Sequence, residues 1–205
     1  MSRPKGRALQ QQQARKVEAK QVQQKKNTRR TTWIWAGVGA AVVAVIAVLV
    51  VTSPPPPGIE FASQGNTHLA SLDEAHSPYN SAPPSSGWHF GGLAEWTEHE
   101  EAVQPELFVH NLEDAGVVLT YDCPDGCDGL LQGLRDTLAA NAGKRVLITP
   151  YEGIVNPVDG KAYKGAAVAW TRVLYFNDLD ADGLKELQTF ISSYEGIDHH
   201  VPGIG

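Results

Sequence analysis

Residues 31–52 read TTWIWAGVGAAVVAVIAVLVVT, a run of 22 positions without a charged side chain. A helix of about 20 apolar residues spans the hydrocarbon core of a bilayer, so this run predicts a transmembrane helix. Trp33 and Trp35 stand at its start, where indoles favour the membrane interface. Arg29 and Arg30 precede it, and basic flanks stay on the cytoplasmic side. The expected topology is therefore a single pass, with residues 1–30 cytoplasmic and everything after residue 52 outside. A cleaved signal peptide fits less well. The basic region and the apolar run are both too long, and no small-x-small site precedes the SPPPPG stretch.

Charge divides the chain along the same line. Residues 1–30 hold ten Lys/Arg and the single acid Glu18, whereas residues 53–205 hold seven Lys/Arg against 22 Asp/Glu. The basic, Gln-rich tail contains too few apolar residues to form a core and is expected to be disordered. It also suits contact with anionic lipid heads. The body carries a net charge of −15 and all seven histidines. Such a surface repels phosphates, which argues against a nucleic-acid partner and for cations or basic partners. Four prolines, Pro54 to Pro57, separate the two parts. In a polyproline helix they span about 12 Å, and residues 53–58 are read as a spacer.

The outer domain, residues 59–196, is expected to be a small α/β (α+β) sandwich with a loop-rich first half, followed by a flexible tail at 197–205. Leu107–His110 is expected to form a strand. Gly116–Tyr121 is a β-branched run, followed by a helical pattern with Leu130, Leu131, Leu134 and Leu138 on one face. KRVLITPY then supplies a second strand. The strand–helix–strand order predicts that Gly116–Tyr121 and Arg145–Thr149 run parallel with a right-handed crossover. Ala166–Phe176 reads as one long strand or as two with a bend. A last helix presents Leu184, Leu187, Phe190 and Ile191.

Several residues of the domain carry possible chemistry. His68, His89, His110 and Glu113 lie on separate segments and together offer the donors that zinc or copper takes: neutral imidazoles and a carboxylate. Buried histidines also serve as backbone ties in loop-rich folds, so both readings stay open. Cys123 and Cys127, the only cysteines, suggest a disulfide outside the cytoplasm. Their position between a strand and a helix also suits a reactive thiol pair. DLDADG (178–183) matches half of a calcium loop, but Thr189 stands where the bidentate glutamate is needed, so an N-cap at Asp180 or Asp182 is expected. His199 and His200, near the terminus, are expected to be solvated. No nucleophile elbow, Walker loop or dinucleotide fingerprint is present, so no catalytic residue is assigned.

The stretches PPSSGWH (83–89) and VHNLEDAGVVLTYDCPDGC, followed by Ala169-Trp170, resemble the bacterial domain of unknown function 3105 family. That family has an N-terminal anchor and a domain with a PPTSGxH block and an HNLEHG block. His68, Tyr79, Pro83, Pro84, Ser86, Gly87 and His89 match the first block. His110, Asn111, Leu112, Glu113 and Gly116 match the second. The resemblance gives Tyr79, Pro83, Pro84, Ser86, Gly87, Asn111 and Trp170 structural roles. Asp114 stands where the family has a histidine, and Ala115 replaces a glycine, so a ligand at that position becomes an oxygen donor. CPDGC also resembles the CPxxC loop of Sco-type copper chaperones over five residues, although the thioredoxin-like helix between Thr149 and Ala166 is missing. Three functions follow as expectations. They are copper or zinc binding through His68, His89, His110 and Glu113; a non-catalytic envelope module that binds another protein; and thiol redox or copper transfer through Cys123 and Cys127.

Overall fold

The computed structural model describes residues 15, 16, 18, 20, 23, 32–48 and 55–200. The expected Pro-rich spacer and the ends of the expected span lie partly outside them, as do most of the basic tail and residues 201–205. The chain divides into two units, Met1–Pro55 and Pro56–Gly205. In the first, residues 32–48 are helical (α1). Among the described residues no helix is long and apolar enough to cross a membrane.

The second unit is built on a five-stranded mixed sheet, with helices α2 (Pro105–Glu113), α3 (Asp128–Ala140) and α4 (Ala181–Tyr194). Its strands are β1 (Ile59–Glu60), β4 (Val117–Tyr121), β5 (Val146–Pro150), β8 (Gly165–Ala169) and β9 (Arg172–Phe176), in the order β1-β9-β8-β4-β5. Two short pairs stand apart: β2 (His68–Leu69) with β3 (His89–Phe90), and β6 (Val155–Asn156) with β7 (Lys161–Ala162). The expected parallel pair is present, with Val117 opposite Val146 and Leu119 opposite Ile148. The other contacts in the large sheet are antiparallel.

Side chains alternate across a strand, so the sheet builds two cores. On one face Val117, Leu119, Val146, Ile148, Ala167 and Ala169 pack with Leu130 and Leu134 of α3 and Leu187, Phe190 and Ile191 of α4. On the other, Val118, Leu147, Ala166, Val168 and Val173 meet Phe108, Val109 and Leu112 of α2, with Phe61, Val103 and Trp170. The loop-rich first half therefore forms a layer over the second face. It also covers an edge of the sheet: Ile148 N–H donates to Thr97 O, and His99 N–H to Ile148 O.

One local expectation changes and two are refined. Leu107–His110 is helical, because Pro105 starts α2 at a position that needs no amide hydrogen and Phe108, Val109 and Leu112 then share a buried face. Ala166–Phe176 takes the second of the two expected forms, two strands, joined by a tight turn. It is the hairpin β8–β9, turned at Trp170-Thr171, with Thr171 at φ +61°. Leu184 is half-buried, whereas Leu187, Phe190 and Ile191 form the fully buried stripe of α4. The acidic start of α4 is the expected cap: Asp180 accepts a hydrogen bond from Gly183 N–H at 2.9 Å.

Cys123 and Cys127 form a disulfide, and no free cysteine is present among the described residues. It clips the end of β4 to the start of α3 across a loop of sequence separation 4. Loop-closure entropy for so short a loop is worth at most about 2 kcal/mol. Replacing both cysteines with serine should lower stability by no more than that in chemical denaturation, and should leave the histidine cluster described below unaffected.

Candidate metal centre

Four side chains from three elements converge beneath the loop layer. In the parallel β2–β3 pair, His68 lies directly opposite His89, so both imidazoles leave the same face. On α2, His110, Glu113 and Asp114 follow an i, i+3, i+4 spacing and line one side of the helix end. One ligand atom from each of His68, His89, His110 and Glu113 fits within a mutual 4.8 Å. The rings are in contact, with centroids 4.5 Å apart for His68–His89, 5.2 Å for His68–His110 and 5.1 Å for His89–His110.

PPSSGWH fixes the direction of His89. Residues 83–87 are buried, and the Ala82–Pro83 peptide is cis. Ser86 Oγ accepts from Gln64 N–H, Ser85 Oγ meets Ser81 Oγ at 3.0 Å, and Ser85 O accepts from Thr171 N–H. Tyr79 O–H donates to Trp88 O at 2.6 Å. Gly87 has φ +116°, and a side chain there would meet Gln64 Cβ at 3.2 Å. Tyr79, Ser86 and the close packing at Gly87, with Pro83 and Pro84 buried beside them, thus hold the loop whose last residue enters the cluster.

The resulting geometry sets the state of His89. The Gly87 carbonyl can only accept, so the 2.8 Å contact assigns the ring proton to His89 Nδ1. A neutral ring then directs a bare Nε2 at Glu113 Oε2, 2.9 Å away, with both side chains fully buried. Two acceptors face each other at that distance only if a second proton or a cation joins them. A backbone carbonyl holding the far nitrogen is also the usual support of a metal-bound histidine.

The remaining polar atoms are less satisfied. His110 Nδ1 and Glu113 Oε1 are buried without a hydrogen-bond partner. An unsatisfied buried polar group costs about 1–3 kcal/mol, so two in one cluster call for a missing partner. Glu113 Oε2 lies 3.8 Å from His68 Nε2, 2.9 Å from His89 Nε2 and 3.8 Å from His110 Nδ1. Tetrahedral bonds of about 2.0–2.1 Å separate neighbouring ligand atoms by about 3.3 Å, a value these distances bracket. Burial pushes His110 below the ordinary histidine range, against the pull of Asp114, and so favours the neutral form that a metal takes. His68 is half-exposed and leaves the cluster open to solvent.

Asn111 and Gly116 hold the helix end. Asn111 accepts from Ala94 N–H and donates to Ala94 O, tying α2 to the covering loop. Gly116 N–H donates to Asn111 O at 2.9 Å. A Cβ on Gly116 would run into the Trp96 ring and lie 2.6 Å from Asn111 O, which is backbone and cannot swing away. Gly116→Ala should therefore cost about 1–3 kcal/mol and displace Glu113, read as a lower denaturation midpoint.

The terminal histidines depart from expectation in part: His199 is half-buried, and His200, although exposed, is held against the cluster. Gly196 N–H donates to Ala115 O, and His199 N–H to Glu113 O, which lays the chain end along the end of α2. His199 stacks on Trp170 at 5.7 Å, and Trp170 also meets His89 edge-on. His200 Nε2 reaches Glu113 Oε2 at 3.2 Å. Its Nδ1 lies 2.8 Å from Asp198 Oδ1 and 3.3 Å from Asp114 Oδ1. The Asp198 hydrogen bond, with the charges of Glu113 and Asp114, raises His200 above the ordinary range. The paired histidines were the only sequence signal for this contact. Cys123 and Cys127 sit beyond the opposite end of β4, about 16 Å of strand from the cluster, and take no part in it.

A family model described as Protein of unknown function (DUF3105) matches residues 72–203. That stretch holds His89, His110, Glu113, Asp114 and His200, while His68 lies just ahead of it. No curated protein and no solved structure matches the chain.

Proposed function

The chain belongs to the DUF3105 family of proteins of unknown function, and from that premise we propose that its acidic domain binds one copper or zinc ion. The ligands are His68, His89, His110 and Glu113. The observation that carries this reading is the pair of partnerless buried atoms, His110 Nδ1 and Glu113 Oε1, inside a group whose donor atoms lie within 4.8 Å of one another. Histidines that served only the fold would have satisfied partners, as His89 has at Nδ1. Three imidazoles and one carboxylate fit zinc in a closed tetrahedral set, and imidazole equally suits copper.

The reading also puts the domain outside the cytoplasm, held by residues 31–52 in a membrane. The uncharged run and its basic flank support this, as does the disulfide, since such bonds persist in oxidising compartments. No reaction is assigned. An ion enclosed by four protein ligands has no open position for substrate, which suits holding or delivering metal rather than catalysis.

The test is elemental analysis of the full chain, purified in detergent without added chelator and then dialysed against equimolar zinc or copper. The expected result is retained metal in the wild-type chain and loss of it in Glu113→Gln. Equal metal in the two proteins, or none in the wild type, refutes the proposal.

A further inference from the structure

His110 faces two ways. Its Nδ1 lies 3.8 Å from Glu113 Oε2, inside the cluster above, and its Nε2 lies 3.9 Å from Asp114 Oδ2 on the other side of the ring. Asp114 in turn faces His200, with Oδ1 3.3 Å from His200 Nδ1. His110, Asp114 and His200 form a second group whose ligand atoms lie within 4.8 Å of one another. From this juxtaposition we infer that the protein has a second transition-metal site, held by His110, Asp114 and His200, next to the first and sharing the His110 imidazole. The inference rests on the first site, because the shared ring is one of its ligands.

Each element of the second site has its own support. Asp114 follows the last residue of α2, and its backbone N–H is engaged with His110 O, which keeps the carboxylate beside the ring. His200 is brought in by the chain end, which His199 N–H ties to Glu113 O. Asp198 accepts from His200 N–H and faces His200 Nδ1 at 2.8 Å, so this carboxylate holds the ring by Nδ1 and leaves Nε2, 3.2 Å from Glu113 Oε2, as the nitrogen with a lone pair for an ion. His200 is exposed and Asp114 half-buried, which admits a hydrated ion. The rings of His110 and His200 stand at 75° with centroids 5.9 Å apart. A set of two nitrogens and one oxygen leaves room for water or an outside ligand, unlike the first site.

Sharing one imidazole has a chemical consequence. A neutral ring carries a single N–H proton. The first ion takes the Nδ1 lone pair, so that proton sits on Nε2. When the second ion binds, the Nε2–H bond breaks, the Nε2–metal bond forms from the same electron pair, and the proton leaves to solvent. Second-ion binding therefore releases one proton that a separate, unbridged site would not release from this ring.

The experiment is a titration of the detergent-purified full chain with Cu(II), followed by calorimetry and electron paramagnetic resonance. The expected stoichiometry is two ions per chain, with an integrated signal at two equivalents lower than at one, because copper ions joined by one imidazolate couple. His200→Ala, a change at an exposed position, and Asp114→Asn should each bind one ion with an uncoupled signal. A wild-type chain that binds one ion overturns this inference and leaves the first site standing. Two ions retained in both variants overturns it as well, since the second ion then lies elsewhere. A chain that binds none overturns both sites together.

Discussion

Replacing His89 with alanine should lower zinc affinity by more than about 100-fold and destabilise the metal-free chain by about 3 kcal/mol. The first figure follows because loss of a supporting partner alone costs about 10–100-fold, and His89 is read as a ligand itself. The second follows from burial. His89 and Glu113 are both fully enclosed, and their 2.9 Å contact is the shortest that Glu113 makes to any imidazole. Removing one partner of a buried pair leaves the other without compensation, at about 3–5 kcal/mol. The lower end applies here because His200 Nε2 also approaches Glu113, at 3.2 Å. The two effects separate experimentally. Calorimetric titration reads the affinity, and urea denaturation without metal reads the stability. A variant that binds zinc like the wild type, whatever its stability, would reduce His89 to a tie between loop and helix.

Phe190→Ala should cost about 3–5 kcal/mol and lower the melting temperature by roughly 10 °C, without removing a ligand. Phe190 has no exposed surface and lies among Leu187, Ile191 and the β4 and β8 side chains on the face opposite the cluster. Its ring meets Tyr194 at 4.8 Å, and any side chain at Gly58 would come within 2.8 Å of it. Little room exists for the surroundings to close over the deleted ring, which favours the upper part of the range. Thermal unfolding followed by circular dichroism checks the value. Under the metal-site proposal, zinc should raise the melting temperatures of this variant and of the wild type by similar amounts, because binding stabilises only the folded state.

These two substitutions probe parts of the molecule that differed in how readable they were. The sheet face against which Phe190 packs was legible. The β-branched run at Val117–Tyr121 and the Leu130/Leu134 and Leu187/Ile191 spacings are local patterns, and the strand–helix–strand order fixes the parallel pairing. Leu107–His110 was not, because four apolar or aromatic residues fit a strand as well as a helix. The decision lay with Pro105 and with Asn111 and Leu112 beyond the window. Thr171, at positive φ, gave no warning of the hairpin, because threonine rarely adopts that conformation.

The site was legible as a set of residue types and opaque as an arrangement. His68, His89, His110 and Glu113 announced themselves by chemistry and by their place in two motif blocks. Their approach depends on the β2–β3 pairing and on the helical phase of α2, both of which join distant segments. His200 shows the limit most clearly. A histidine a few residues from a chain end, among glycine and proline, reads as solvated. Only the hydrogen bonds of Gly196 to Ala115 and His199 to Glu113 bring it to the cluster. Asp114 was noted as an oxygen donor in place of a histidine, yet it serves the outer group with His200, on the far side of the His110 ring.

X-ray absorption at the metal edge of the full chain, loaded with one equivalent of zinc, decides whether one ion sits among His68, His89, His110 and Glu113. The expected spectrum shows three imidazole nitrogens and one carboxylate oxygen at about 2.0–2.1 Å, with the multiple-scattering features of histidine. A first shell of six oxygens at longer distance, or a spectrum unchanged in His89→Ala, would contradict it.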